Sequence, residues 1–239
     1  MLFFVFFCII AVFTAGFIFI FVSLQTINRA TDRIYNEGLR GISLLLEADR
    51  DAYQSSLAVA QSFVLMTRED RAGVENASAS VEENMKQVME RFTGFEKIYF
   101  DAGRLLVPEF EQFHTNYKRW TALTGLIQNS LRDMDPVKTA AVYYGEYAEV
   151  FEAMRGAMDS LTGIMNTETE QDYQDTNAAY RGILASLLAV LSIIIVISVI
   201  FAVILASFIT RAVDSVKEFA AKMGRGDMTV SVNAKLATQ

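Results

Sequence analysis

An all-α fold is predicted: an antiparallel up-down four-helix bundle continuous with two transmembrane helices. Three observations predict it. Two charge-free apolar runs, Leu2–Leu24 and Gly182–Thr210, bracket a polar middle. Within that middle, apolar residues recur at three- and four-residue steps, and no sustained period-two alternation occurs. Only two prolines, Pro108 and Pro136, interrupt the 239 residues, which favours long helices.

The first element, "LFFVFFCIIAVFTAGFIFIFVSL", spans residues 2–24, 23 residues without a charge. At 1.5 Å per residue this is about 35 Å of helix, enough to cross a hydrocarbon core of about 30 Å. A cleaved signal peptide would carry a basic start, a shorter apolar stretch and a small-residue cleavage site. The run reads instead as an uncleaved first transmembrane helix.

Residues 25–181 are expected to form the bundle from four helices, roughly 25–67, 68–102, 108–134 and 136–181. In the first, Ile42, Leu46, Tyr53, Leu57, Ala60 and Val64 share one stripe, read as the core-facing side. The second carries Ala77, Val81, Met85, Val88, Phe92, Phe95 and Tyr99, and the third Phe110, Phe113, Tyr117, Trp120, Leu123, Ile127, Leu131 and Met134. The last carries Tyr144, Tyr147, Phe151, Met154, Met158, Leu161 and Met165. Local signals mark the breaks. Thr67 and Asp70 are spaced as a capping box, Gly103 and Pro108 interrupt the chain, and Asp135 precedes Pro136 as a cap before a first-turn proline. Asp49 falls on the first stripe, where a carboxylate needs a partner. Lys86, Lys118 and Arg155 lie at about its depth if the bundle is straight, so a structural ion pair is expected.

Residues 182–210 read as the second transmembrane helix, and residues 211–239 as a tail in which Val213, Val216, Ala220 and Met223 return to helical spacing. The tail holds five Lys/Arg against three Asp/Glu, whereas residues 25–181 hold 16 against 25. Excess positive charge beside the second span places the tail in the cytoplasm. Two spans then put both termini inside and the bundle outside.

Composition excludes several classes of function. A net charge of −7 offers no basic face for nucleic acid. A lone cysteine, Cys8, allows no internal disulfide. No phosphate loop, dinucleotide fingerprint or metalloprotease helix motif occurs, and one histidine with one cysteine within a span builds no nucleophilic triad. No catalytic residue, metal or cofactor is therefore assigned. His114 sits among Phe110, Phe113 and Tyr117 and reads as a packed or edge histidine. "NAS" at Asn76–Ser78 carries little weight as a sequon, and "RGD" at Arg225–Asp227 is cytoplasmic on this topology.

The stretch "ITRAVDSVKEFAAKMGRGDMTVSV", from Ile209 to Val232, resembles the first helix and connector of a HAMP domain, with Gly226-Asp227 at the family's glycine–acid position. Ala212 departs from the proline common there. Together with "YNEGLRGISLLLEADRDAYQSSLAVAQSFVLM" in the first bundle helix, the layout resembles the N-terminal half of a methyl-accepting chemotaxis protein. The same front end also precedes histidine kinases and diguanylate cyclases, and a membrane scaffold without a ligand is a third reading.

The resemblance implies a homodimeric inner-membrane receptor with a periplasmic sensor. A small molecule or a periplasmic binding protein would be the stimulus. Gly224, Gly226 and Asp227 would belong to the relay toward a cytoplasmic histidine kinase and its adaptor. Those output parts are not in the sequence, which reads as a receptor fragment. Related receptors for amino acids and dicarboxylates place arginines in the last turns of the first bundle helix. Here those turns hold Gln54 and Gln61, with Arg50 and Arg68 the nearest cations. Tyr144 and Tyr147 lie at similar depth on the last helix. Arg50, Gln54, Gln61, Tyr144 and Tyr147 are accordingly the candidate ligand-binding residues, and a neutral ligand is favoured over a carboxylate.

Overall fold

The computed structural model describes residues 2–226, without the side chains of residues 2–6, 8 and 9. Asp227 and the "DMTVSV" connector therefore lie outside the described residues, as does the Cys8 side chain. The described residues form six α-helices: α1 (Leu2–Asp32), α2 (Arg40–Thr67), α3 (Arg71–Asp101), α4 (Pro108–Arg132), α5 (Pro136–Val142) and α6 (Ala148–Gly224). Two π-helical stretches, Arg33–Leu39 and Tyr143–Tyr147, join α1 to α2 and α5 to α6. The second contains a non-helical residue, Gly145 (φ −91°, ψ −127°). No strand occurs among the described residues. The chain divides into two compact units, Asn28–Thr176 and a second made of Met1–Ile27 with Asn177–Gln239.

The first unit is an antiparallel four-helix bundle. α3 and α4 bring rigid aromatics into its core, with Phe92 stacked on Phe113 at 3.4 Å between centroids and Phe95 on Phe110 at 5.7 Å. α6 adds Met154, Met158, Leu161 and Met165, all buried. The stripes expected on α3 and α4 are buried or half-buried at every position, and on the last helix only Tyr144 faces out.

The expected stripe of α2 is corrected. Leu46, Tyr53, Leu57 and Val64 are exposed, and the helix buries Gly41, Leu45, Ala48, Asp51, Ala52, Ser55, Ala58, Val59, Ser62 and Met66 instead. These mostly small side chains let α2 approach α3 closely. A methyl placed on Gly41 would lie 3.6 Å from Phe95, and one on Gly94 would lie 3.5 Å from Leu44.

Two turns at one end of the bundle share a motif. After α2, the Asp70 amide donates to Leu65 O (3.0 Å) and the Glu69 amide to Met66 O (3.0 Å). After α4, the Asp135 amide donates to Ser130 O (2.9 Å) and the Met134 amide to Leu131 O (3.0 Å). Each is a Schellman closure with a left-handed residue, Glu69 at φ 57° and Met134 at φ 55°, where glycine is usual. Each is followed at once by an aspartate that caps the next helix. Asp70 accepts from the Gly73 amide (2.9 Å) and Asp135 from the Lys138 amide (3.0 Å). The Asp135–Pro136 start agrees with expectation. The capping box does not form, because α2 runs through Thr67, whose hydroxyl donates back to Val64 O, and Asp70 is itself the cap.

In the second unit, α1 from Ile10 onward and the later half of α6 expose apolar side chains almost throughout, and both helices are long and apolar enough to cross a membrane. Half-buried positions trace one seam on α6 through Ile183, Leu187, Val190, Ile194, Phe201 and Leu205, at the spacing of a two-helix contact. On α1, Gly16 sits where a methyl would lie 3.7 Å from Val190. α6 stops at Gly224, and Gly226 adopts φ 84°.

Candidate functional site

α2 is the element on which most candidate residues fall, and its two faces differ in chemistry. The inner face carries a carboxylate that sequence reading missed. Asp51 is 0% exposed, ion-paired with Arg91 of α3, and its Oδ1 accepts from Arg50 Nη2 at 3.1 Å. Arg91 also pairs with Glu47. Two cations and two carboxylates thus balance at the α2–α3 contact. The signal that locates Asp51 is the stripe of small residues, Ala48, Ala52 and Ser55, which a search for large apolar residues passes over.

Asp49, placed in the core by the sequence pattern, is half-buried at the edge between α2 and α6. Arg155 Nε donates to Asp49 Oδ1 at 2.7 Å and Nη2 to Oδ2 at 3.1 Å, a two-pronged pair. Of the three cations expected at this depth, Arg155 is the partner, while Lys86 pairs with Glu90 on its own helix. The guanidinium also reaches Glu152 (3.2 Å) and lies 4.9 Å above the Tyr53 ring. Its hydrogen bonds to Asp49 hold its pKa above the usual arginine value, against a smaller opposing effect of burial. A cavity of about 320 Å³ adjoins the pair, lined by Leu45, Leu46, Asp49, Glu152, Arg155, Gly156, Met158, Asp159 and Thr162.

The five candidate ligand residues do not converge on one cavity. Gln54 and Gln61 come together, lining an open groove of about 340 Å³ between α2 and α3 with Leu57, Leu65, Asn76 and Ser80. Its polar groups are amides and a hydroxyl, with no charged side chain among them. Arg50 is exposed beside Asp51. Tyr144 is exposed and stacks on Phe63 at 6.0 Å. Tyr147 lies in the core, stacked on Phe151 and tilted against Trp120, and burial pushes its hydroxyl up to about 12. Tyr143, one residue before Tyr144, is the tyrosine that reaches α2, its hydroxyl 3.3 Å from Ser56 Oγ. His114 is an exposed edge residue, its Nε2 2.6 Å from Glu96 Oε1.

The outer face of α2 and the preceding π-helical stretch carry Tyr35, Leu39, Leu46, Tyr53, Leu57 and Val64, all exposed. Their steps of four, seven, seven, four and seven residues keep them on one helical stripe.

Residues 1–180 match a family model described as a four helix bundle sensory module for signal transduction. No curated protein and no solved structure matches the chain.

Proposed function

Because the chain belongs to the family of four helix bundle sensory modules for signal transduction, a membrane receptor of chemoreceptor type, we propose that it is the sensory half of a homodimeric receptor in the bacterial inner membrane. On this reading residues 2–24 and 182–210 span the bilayer, and residues 25–181 sense a periplasmic signal. Residues 211–239 open a HAMP relay, with Gly224, Gly226 and Asp227 at its helix stop, leading to a histidine kinase and its adaptor. The chain carries no catalysis of its own. The stimulus is a neutral small molecule held by Gln54 and Gln61 in the groove between α2 and α3, without Arg50, Tyr144 or Tyr147, which lie outside it. Binding by a periplasmic protein is the alternative outcome.

The observation that carries the reading is the outward apolar seam of α2. Six large side chains on one stripe, four on α2 and two on the π-helical stretch before it, are left uncovered by their own bundle, as a parallel partner helix would require. Support for the relay comes from α6, one uninterrupted helix from Ala148 to Gly224.

The test uses the full chain in membranes with Cys8→Ser. A cysteine introduced by Leu57→Cys is expected to form a disulfide-linked dimer on oxidation, and Leu126→Cys, equally exposed on α4, is not. Equal or no crosslinking at both positions would remove the seam as the dimer face. A thermal-shift panel of amino acids, organic acids and amines then checks sensing, since a ligand that binds only the folded state raises its melting temperature. A rise that survives Gln61→Ala would exclude the amide groove.

A further inference from the structure

α2 carries opposite charges on the two flanks of its exposed stripe. At 3.6 residues per turn, with the direction of Leu46 as reference, Tyr53 and Leu57 fall within about 20° of it, Asp49 about 60° to one side and Arg50 about 40° to the other. The contacts agree with this placing. Asp49 turns toward α6, where Arg155 grips it. Arg50 turns toward α3, beside Asp51 and that carboxylate's partner Arg91. Leu46, on the stripe itself, lines a groove on each flank.

The α6 flank is acidic. Its groove sets Asp49, Glu152 and Asp159 against a single cation, Arg155, which Asp49 and Glu152 already engage. The Glu152 side chain is 66% exposed. Asp159 is exposed and has no ion-pair partner among the described residues. The other flank is lined by Ile42, Ser43, Glu47 and Arg50. Glu47 is taken by Arg91, so the group this flank presents is Arg50. Its side chain is 54% exposed, and the carboxylate it touches, Asp51, is held by Arg91 as well. An acidic groove short of cations and a half-free arginine thus border the same uncovered stripe.

Two-fold symmetry decides what meets across that stripe. When two copies pack stripe to stripe with their α2 helices parallel, the two-fold axis runs along the contact. It brings the Arg50 flank of one copy against the α6 flank of the other, at the same height. An antiparallel pair instead sets like flank against like flank, acidic groove facing acidic groove. Charge therefore favours the parallel arrangement. We propose that Arg50 reaches across to the acidic groove of a second copy of this chain, formed by Asp49, Glu152 and Asp159, with the reciprocal contact on the far side of the axis. The contact rests on the reading of the chain as a homodimer, and it names the residues that set the orientation of the pair. Arg50 is on this account a partner-selecting residue, and the acidic groove is complete only in the dimer.

The experiment co-expresses two differently tagged full chains in membranes, both carrying Cys8→Ser and Leu57→Cys, and measures the share of mixed dimers among the disulfide-linked species. One chain adds Arg50→Glu, the other Glu152→Lys with Asp159→Lys. Each homodimer then opposes like charges at both contacts, whereas the mixed dimer matches opposite charges at both. Mixed dimers are expected to exceed either homodimer by about tenfold. Random assortment of the two variants, as for two parent chains, overturns the inference and leaves the homodimer standing. Absence of any Leu57→Cys crosslink between parent chains removes the homodimer reading and the contact with it. Should the Arg50→Glu chain fail to accumulate, because it sets a carboxylate beside Asp51, the lysine variant against the parent decides alone. Its own homodimer is expected to fall below the parent's in the same membranes, and equal yields overturn the inference.

Discussion

Replacing Asp51 with alanine separates two accounts of the bundle core. The Asp51 carboxylate is 1% exposed and meets Arg91, whose side chain is 24% exposed, and the half-exposed Arg50. Breaking a buried pair by removing one partner costs about 3–5 kcal/mol, because the remaining charge is stranded. Arg91 keeps Glu47 and some water, so the low end applies, about 3 kcal/mol. For a unit of about 150 residues, 3 kcal/mol corresponds to a fall of about 6–12 °C in melting temperature. Asp49→Ala removes a half-exposed pair with Arg155, a change worth about 1 kcal/mol or less. The apolar stripe read from sequence demands the opposite order, since it puts Asp49 in the core. Thermal and urea unfolding of segment 25–181, followed by circular dichroism, decides between them. Asp51→Ala costing no more than Asp49→Ala would refute the assignment of α2's inner face. A cycle with Arg91→Met separates the pair from general packing.

Three further outcomes follow from local geometry. Glu69→Gly and Met134→Gly relieve left-handed backbone at two Schellman turns, and each is expected to raise stability by about 0.5–1 kcal/mol after the extra chain entropy of glycine; a loss at both sites in urea unfolding would contradict the turn geometry. Asp135→Ala should lower the melting temperature at neutral pH, because the Lys138 amide, followed by the Lys138 side chain, holds the Asp135 carboxyl below its ordinary value of 3.8. A depressed carboxylate stabilises above its unfolded pKa and loses that contribution as pH falls through the folded one, so the gap to the parent should close below about pH 3.8 and persist at pH 6. Gly38→Ala would bring a methyl within 2.8 Å of Thr169 Cγ2, an overpacking cost of about 1–3 kcal/mol. Gly125→Ala meets nothing within 4 Å and should stabilise α4 by about 1 kcal/mol, so equal effects at the two glycines would refute the close approach of Gly38.

Helix number, antiparallel order and the core faces of α3 and α4 were legible because large aromatic and aliphatic residues at helical spacing have one place to go when a helix has one neighbouring core. Pro108, Pro136 and Asp135 marked their breaks for equally local reasons. α2 misled because it is apolar on two faces. Its bulky residues cover the outer face and its small ones the inner, so a pattern weighted by hydrophobicity points outward by about half a turn. The same error moved the buried carboxylate from Asp51 to Asp49. Among candidate site residues, Gln54 and Gln61 share a groove because seven residues return a helix to the same face. Tyr144 and Tyr147 separate because the π-helical stretch around Gly145 breaks the three-residue step between them. No residue type in "YYGEY" announces that break beyond the glycine.

The division of labour on α2 also bears on how a sensor of this kind can respond. Fully burying a large apolar side chain contributes about 1.5–3 kcal/mol, so covering the exposed half of six seam residues on each of two protomers yields about 9–18 kcal/mol. Association in solution costs about 4–15 kcal/mol in lost translational and rotational freedom. On the proposed reading, the seam of an excised bundle therefore sits near balance. In the full chain, anchoring both protomers in one bilayer removes much of that cost before the seam closes. A homodimer poised this way is held firmly enough to transmit a change, yet the packing along α2 remains adjustable by a ligand of ordinary affinity. Each tenfold preference of that ligand for one arrangement contributes about 1.4 kcal/mol, which counts against the small net balance of the seam rather than its total.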